Sequence, residues 1–171
     1  ADADESTETL ELTLTDEVTG AILRLYYTVF PESDVISRYF VLENRGKADL
    51  RIEKAMPLAL DVDGDERDMI SFYGEWAHER HIQRQPLMRG NQRIFSRRGS
   101  SSHHFSPFMM VTDKKATEER GEAYAFNFVW SGGWLGEVET DQTHNTRVLL
   151  GLGDECFNYL LKSGESFASP E

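Results

Sequence analysis

Short stretches of alternating apolar and polar residues constrain this chain more than any other feature. Leu10, Leu12 and Leu14 alternate with polar residues, and residues 124–130 place an aromatic side chain at every second position. A period of two is typical of a β-strand with one buried face. Similar runs, separated by turn residues, occupy 23–29, 35–42, 134–140, 148–152 and 157–161. No segment keeps a helical spacing for three turns, so we predict an all-β sandwich with little helix.

Size, charge and cysteine content narrow the class of protein. The 171 residues are one domain's worth, and 39% of them are hydrophobic, which is enough for a core. A net charge of −12 argues against nucleic acid and anionic membranes as partners. No apolar run approaches the roughly 18 residues of a membrane span. Cys156 is the only cysteine and lies in an apolar run, which favours a core position, a reducing compartment and a cytoplasmic location.

The basic residues are unevenly distributed. Residues 80–98 contain six arginines and no lysine, and residues 81–112 contain no acidic residue. The other 12 basic residues face 30 acidic ones. Arginine is suited to bidentate pairing with carboxylates and to stacking on aromatic rings. The stretch therefore predicts either a surface for a partner or a sugar, or internal pairing with the acidic remainder, and the pattern does not choose between them.

Motifs for catalysis, metals and cofactors are weak. The acidic run 61–66 lacks the glycine and glutamate of a calcium loop, and the five histidines have no metal-binding spacing. A Gly-x-Ser-x-Gly nucleophile motif and a phosphate loop are both absent. With 30 acidic residues and no geometry, the sequence cannot nominate a pair of catalytic carboxylates. We therefore expect no metal, no cofactor and no catalytic residue in this chain.

Trp76 is the residue that we single out as a candidate contact for a ligand. It lies in a polar segment after Gly74, a residue that permits a tight turn, and just before the arginine stretch. An indole offers a flat apolar face and one N–H donor, which suits stacking on a sugar ring. The same residue could instead fill the core of the domain.

Five segments, in the right order, resemble one known family. Residues 74–87 (GEWAHERHIQRQPL) and 96–108 (SRRGSSSHHFSPF) are similar to signatures of the N-terminal domain of family 36 glycoside hydrolases, the microbial α-galactosidases. Residues 121–126 (GEAYAF), 131–139 (SGGWLGEVE) and 145–151 (NTRVLLG) match further blocks. The resemblance covers nearly the whole chain.

The resemblance implies a β-supersandwich that precedes a catalytic (β/α)8 barrel. That enzyme removes terminal α-linked galactose from melibiose- and raffinose-type sugars with retention of configuration. The two catalytic aspartates belong to barrel motifs that this chain lacks. On this basis, we expect residues 1–171 to be a single domain, a fragment that lacks the first strands of the sandwich and the strand after Glu171, and to be inactive alone.

The resemblance also implies roles for particular residues. The tryptophan that matches Trp76 reaches a galactose site, across subunits in tetrameric members, so we expect Trp76 to bind substrate in a homo-oligomer. Arg80, His81, Arg97 and Arg98 become possible pocket or interface residues.

Two other functions remain open from the sequence: an autonomous carbohydrate-binding module, and a structural domain whose arginines pair internally. A sandwich with missing edge strands is also expected to self-associate.

Overall fold

The computed structural model describes residues 7–153, 155 and 157–171, so Cys156 lies outside the described residues. Within them, the chain is built from strands, and the single helical element is the short 3-10 turn Pro31–Ser33. No helix in this part of the chain has the length and hydropathy of a membrane span. The strands are β1 (Glu8–Asp16), β2 (Ala21–Phe30), β3 (Val35–Asn44), β4 (Leu50–Ile52), β5 (Ala55–Asp63), β6 (Arg67–Glu75), β7 (His78–Pro86), β8 (Gly90–Ser96), β9 (Phe105–Asp113), β10 (Ala123–Asn127), β11 (Trp134–Thr140), β12 (Asn145–Leu152), β13 (Tyr159–Leu161) and β14 (Ser166–Ala168).

Three four-stranded sheets make up the fold, and all their strand pairs are antiparallel. We call β5-β12-β11-β8 the inner sheet, β10-β9-β6-β7 the hairpin sheet and β1-β2-β3-β14 the flanking sheet. β4 and β13 form a separate two-stranded sheet. The predicted all-β class with little helix is confirmed.

The core lies between the inner sheet and the hairpin sheet. Val138 and Val148 of the inner sheet and Met109 and Val111 of the hairpin sheet are at most 1% exposed. The sheets approach so closely at Gly136 that a Cβ there would lie 2.4 Å from the Met109 Cε. Because Val148, Leu150 and Leu152 of β12 enter this core, the period of two in that strand is the consequence of burial on one face.

The flanking sheet closes one end of this core and then extends beyond it. Phe40 and Leu42 of β3 and Phe167 of β14 pack against the buried cluster. Leu12 of β1 pairs with Leu25 of β2, which pairs with Phe40, so all three lie on the same face.

On β1, however, that face is uncovered. Leu10, Leu12 and Leu14 are 55%, 43% and 54% exposed. The strand was predicted correctly, but the prediction that it buries one face is wrong for this chain, because no described element packs over β1. None of the described strands pairs with its outer edge, and the pairing of β1 with β2 contains no bulge.

We predict that β1 drives self-association. An apolar strand with unpaired N–H and C=O groups is a template for pairing with another chain. Replacement of Leu12 by Glu should weaken association, as measured by light scattering over a concentration series, with little change in the free energy of unfolding. Thr13→Glu adds the same charge on the opposite face and should have a smaller effect. A parent chain that stays monomeric at high concentration would contradict this prediction.

Candidate functional site

Trp76 lies at the tip of the hairpin that joins β6 to β7. Glu75 pairs with His78, so Trp76 and Ala77 are the two residues of the turn. The Trp76 side chain is 83% exposed, and all nine residues of β7 are exposed. The alternative in which this tryptophan fills the core is therefore wrong, since the indole is displayed to solvent.

The backbone of this tip has an unusual shape. Ala77 and Arg80 have positive φ angles of 64° and 62°, which are uncommon for residues other than glycine. Gly74 is not itself in the turn: a Cβ there would lie 2.4 Å from the His78 carbonyl oxygen, so glycine allows β7 to approach. The register shifts between Tyr73 and Glu75. The sequence predicts a tight turn at Gly74, whereas in the structure Ala77 supplies the left-handed residue of the turn.

The loop 97–104 supports the base of the hairpin. The Gly74 N–H donates to the His104 carbonyl oxygen at 3.0 Å. The Tyr73 ring stacks on the His104 ring with centroids 5.8 Å apart and meets Phe105 edge-on at 5.0 Å. Arg98 Nη2 lies 3.2 Å from Nε2 of His104. The hairpin and the loop therefore form one connected unit.

Five of the six arginines in residues 80–98 have polar partners within the chain. Three pair with carboxylates and two with imidazoles: Arg84 with Asp68, Arg93 with Glu137, Arg97 with Glu155, Arg89 with His144 and Arg98 with His104. Arg80 has no such partner in the part of the chain that the structure describes. Internal pairing thus accounts for most of this stretch, and Arg80 is its exception.

The structure brings only some of the expected site residues together. His81 pairs with Tyr73 across the hairpin, and its ring lies 6.2 Å from that of His78. Arg98 reaches the same end of the sheet through His104. Arg97 points elsewhere, because it stacks on Phe95 at 4.4 Å and pairs with Glu155.

Tyr73 and His104 were not singled out from the sequence. The two residues are 31 positions apart, and only the pairing of β6 with β9 brings them into contact. The signal that could have indicated this contact is the aromatic and histidine content of both segments, which is too general to choose a pair. No group of three or more His, Cys, Asp or Glu side chains suited to a metal occurs among the described residues.

A second candidate is a polar cleft of about 360 Å³ on the outer face of the inner sheet. It is lined by Asp61, Glu139, Asp141, Asn145 and Arg147. Arg147 donates to both carboxylate oxygens of Asp61, at 2.7 and 2.9 Å, and lowers the pKa of that group. Hydrogen bonds from the backbone of Asn145 and from Thr143 lower the pKa of Asp141 to about 2.

These carboxylates are poorly suited to acid catalysis. A glycosidase general acid needs a raised pKa so that it holds its proton near neutral pH. The described carboxyl groups with a shifted pKa all move downwards: Asp16, Asp61, Asp65 and Asp141. Asp61 and Asp141 therefore favour their ionised forms, and Trp76 is not among the residues that line the cleft.

Fold and surface together define an all-β sandwich domain that displays a tryptophan from a hairpin. The profile of the glycosyl hydrolase family 36 N-terminal domain matches residues 1–162. The chain therefore belongs to this family.

Relatives and solved structures agree. The chain is 44% identical over 170 residues to the bifunctional alpha-galactosidase/sucrose kinase AgaSK of Mediterraneibacter gnavus, covering 99% of this chain and 18% of that protein. It is 40% identical over 168 residues to the alpha-galactosidase AgaA of Geobacillus stearothermophilus, covering 98% of this chain and 23% of that protein.

The crystal structure of AgaA superposes with a TM-score of 0.96 at 39% identity, over 99% of this chain and 24% of that chain. Variants of AgaA have been solved in complex with raffinose and with stachyose. The chain thus spans about a fifth to a quarter of the length of these relatives and corresponds to their N-terminal domain.

We predict that Asp141 contributes to stability only while it is ionised. Because its folded-state pKa of about 2 lies below the ordinary 3.8, this contribution is complete above the ordinary value and is lost as the pH falls through about 2. The free energy of unfolding of an Asp141→Asn variant should therefore fall less steeply with acidification than that of the parent. Denaturant titrations from about pH 5 to 2 measure both slopes. Equal slopes would show that the hydrogen bonds of Asp141 do not stabilise its ionised form.

Proposed function

We propose that this chain is a non-catalytic N-terminal domain of an α-galactosidase that acts on terminal α-galactosides, and that it contributes Trp76 to the sugar pocket. The observation that carries the proposal is the 83% exposure of Trp76 at a defined hairpin tip. An exposed indole can bury a large apolar area against a partner, and tryptophan is enriched at binding sites for this reason. Membership of the family supports a galactoside as that partner.

Stacking is the chemistry that Trp76 can supply. The C–H groups on one face of a galactose ring are apolar, and an indole can cover that face while its N–H donates to a hydroxyl or to water. Arg80 lies four residues further along, on the same hairpin, and its guanidinium has no hydrogen-bond or ion-pair partner among the described residues. It is therefore free to donate to sugar hydroxyls or to a neighbouring carboxylate. His81 lies beside it. We therefore place Arg80 and His81, more than Arg97, near the sugar.

The reaction itself is assigned to a separate catalytic module. Bond cleavage with retention needs two carboxyl groups about 5–5.5 Å apart, one of them with a raised pKa. The downward pKa shifts of the described aspartates support a domain without that machinery. We propose that residues 1–171 form a single domain that does not hydrolyse galactosides alone.

We also propose that the hairpin lies at a contact between subunits of a homo-oligomer. β7 is an edge strand of the hairpin sheet and is exposed along its whole length, which leaves room for a neighbour. Basic groups at the tip would complement the acidic residues on the surface of another copy.

We also propose a cytoplasmic location for the enzyme, because a chain with a single cysteine suits a reducing compartment.

The test is Trp76→Ala in a full-length α-galactosidase that carries this domain. Loss of stacking should raise KM for raffinose about tenfold or more, or about 1.4 kcal/mol of binding free energy, with a smaller change in kcat. Trp76→Phe should fall between the parent and the alanine variant, because it keeps a smaller aromatic face. Met88→Ala is the control, since Met88 is also exposed, at 69%, but lies past the opposite end of β7. A Trp76→Ala enzyme with the parent kcat/KM would refute the role of Trp76.

The alternative function is an autonomous carbohydrate-binding module. The same exposure of Trp76 favours it, because the indole is accessible without any other domain. Titration of galactose or raffinose into the 171-residue chain separates the two proposals. Saturable quenching of tryptophan fluorescence that disappears in Trp76→Phe would support the module, whereas a flat response supports a site that needs further domains.

A further inference from the structure

We propose that Arg98 and His104 are positioning residues that hold the Trp76 hairpin in place through Tyr73 and Gly74. The proposal rests on the proposed function of Trp76 and goes beyond it, because neither Arg98 nor His104 needs to touch the sugar. It also gives Arg98 a different role from the direct pocket or interface contact that the sequence suggested.

The position of the Trp76 indole depends on the backbone of the hairpin tip. With 83% of its surface exposed, the Trp76 side chain has few neighbours that could fix it. Its location is therefore set by the backbone of the tip. That backbone is held locally by the Ala77 N–H, which donates to Glu79 Oε1 at 3.0 Å. This contact lies within the tip and cannot fix the tip relative to the sheet.

The hairpin tip is connected to the sheet through Tyr73 and Gly74. β6 ends at Glu75, and the last strand pairing of β6 with β9 joins Tyr73 to Phe105. Beyond that pair, the N–H of Gly74 has the His104 carbonyl oxygen as its acceptor, and Gly74 is buried. The Tyr73 ring contacts His104 and Phe105. His104 thus makes both a backbone and a ring contact at the point where the hairpin leaves the sheet.

His104 is itself held by Ser102 and Arg98. Its N–H donates to Ser102 Oγ at 3.3 Å, and its Nε2 faces Arg98 Nη2 at 3.2 Å. A guanidinium can only donate, so the imidazole nitrogen is the acceptor in this pair. Among the described residues, removal of Arg98 leaves the ring held by its contacts with Tyr73 and with His103, whose centroid is 5.2 Å away. The ring then turns more readily about its χ angles, and the stacking on Tyr73 weakens.

A matched pair elsewhere in the chain provides the control. Arg89 contacts Nε2 of His144 at 3.5 Å, so it has the same residue types and a similar geometry. Arg89 follows β7 at the end opposite to Trp76, and in the part of the chain that the structure describes its side-chain contact is with His144 and not with the hairpin tip. Arg89→Ala removes the same charge and the same kind of contact as Arg98→Ala.

The experiment measures hydrogen–deuterium exchange by mass spectrometry, in peptides that cover residues 73–82 of a full-length enzyme carrying this domain. We expect Arg98→Ala and His104→Ala to increase exchange about threefold or more in these peptides, and Arg89→Ala to leave it unchanged. His104→Phe keeps the ring contact without the acceptor and should give an intermediate value. Tyr73→Phe keeps the ring and should show the exchange of the parent, whereas Tyr73→Ala loses the ring and should show increased exchange. Unchanged exchange in both Arg98→Ala and His104→Ala would overturn the proposal.

Kinetics then test the consequence for the sugar. Arg98→Ala should raise KM for raffinose about threefold or more while kcat stays within about twofold, because a mobile tryptophan binds ground and transition states less well to a similar extent. Increased exchange with an unchanged KM, in an enzyme where Trp76→Ala does raise KM, would overturn the positioning role. An unchanged KM in Trp76→Ala itself would refute the proposed function, while increased exchange in Arg98→Ala would still support the mechanical link.

Discussion

The packing of the inner sheet on the hairpin sheet is the constraint on which the rest of the structure depends. Val148 and Met109 are fully buried between the two sheets. Gly136 has no side chain, which allows the two sheets to come into contact at that point. β6 is the third strand of the hairpin sheet and lies between β9 and β7. Because β6 is held on both sides by other strands, its extension past Tyr73 carries the Trp76 hairpin on a rigid base, and the two-layer core sets where that hairpin can point.

Most of the fold could be predicted from the sequence, because a strand that buries one face in a sandwich alternates apolar and polar residues with a period of two. β12 shows this directly, with Val148, Leu150 and Leu152 buried in the core. The same pattern misled in β1, where Leu12 has the right spacing and pairs with Leu25, but no described element packs over its apolar face. Periodicity records which face of a strand is apolar, but the element that covers that face is not encoded in the strand itself.

The site was less predictable for a different physical reason. Trp76 could be nominated from its polar neighbours. Its exposure, however, depends on the close approach of β7 at Gly74 and on the positive φ of Ala77, and no local motif predicts either feature. The arginine stretch remained ambiguous because its carboxylate partners are distant in sequence. Arg93 meets Glu137 only because β8 pairs with β11, and that register is set by the core. Side-chain partners across a sheet follow from tertiary structure, which composition cannot give.

A domain that contributes one aromatic side chain to a pocket must hold that side chain in place, and holding it costs conformational entropy. Immobilising a free side chain on binding costs about 0.5–1.5 kcal/mol, and ordering a loose hairpin would add backbone entropy to that cost. Strained residues such as Ala77 and Arg80 persist only where their surroundings over-determine them. We propose that the contacts of His104 with Tyr73 and Gly74 constrain the base of this hairpin before any sugar arrives. In the function that we propose, the domain therefore affects substrate binding through the rigidity of the hairpin base.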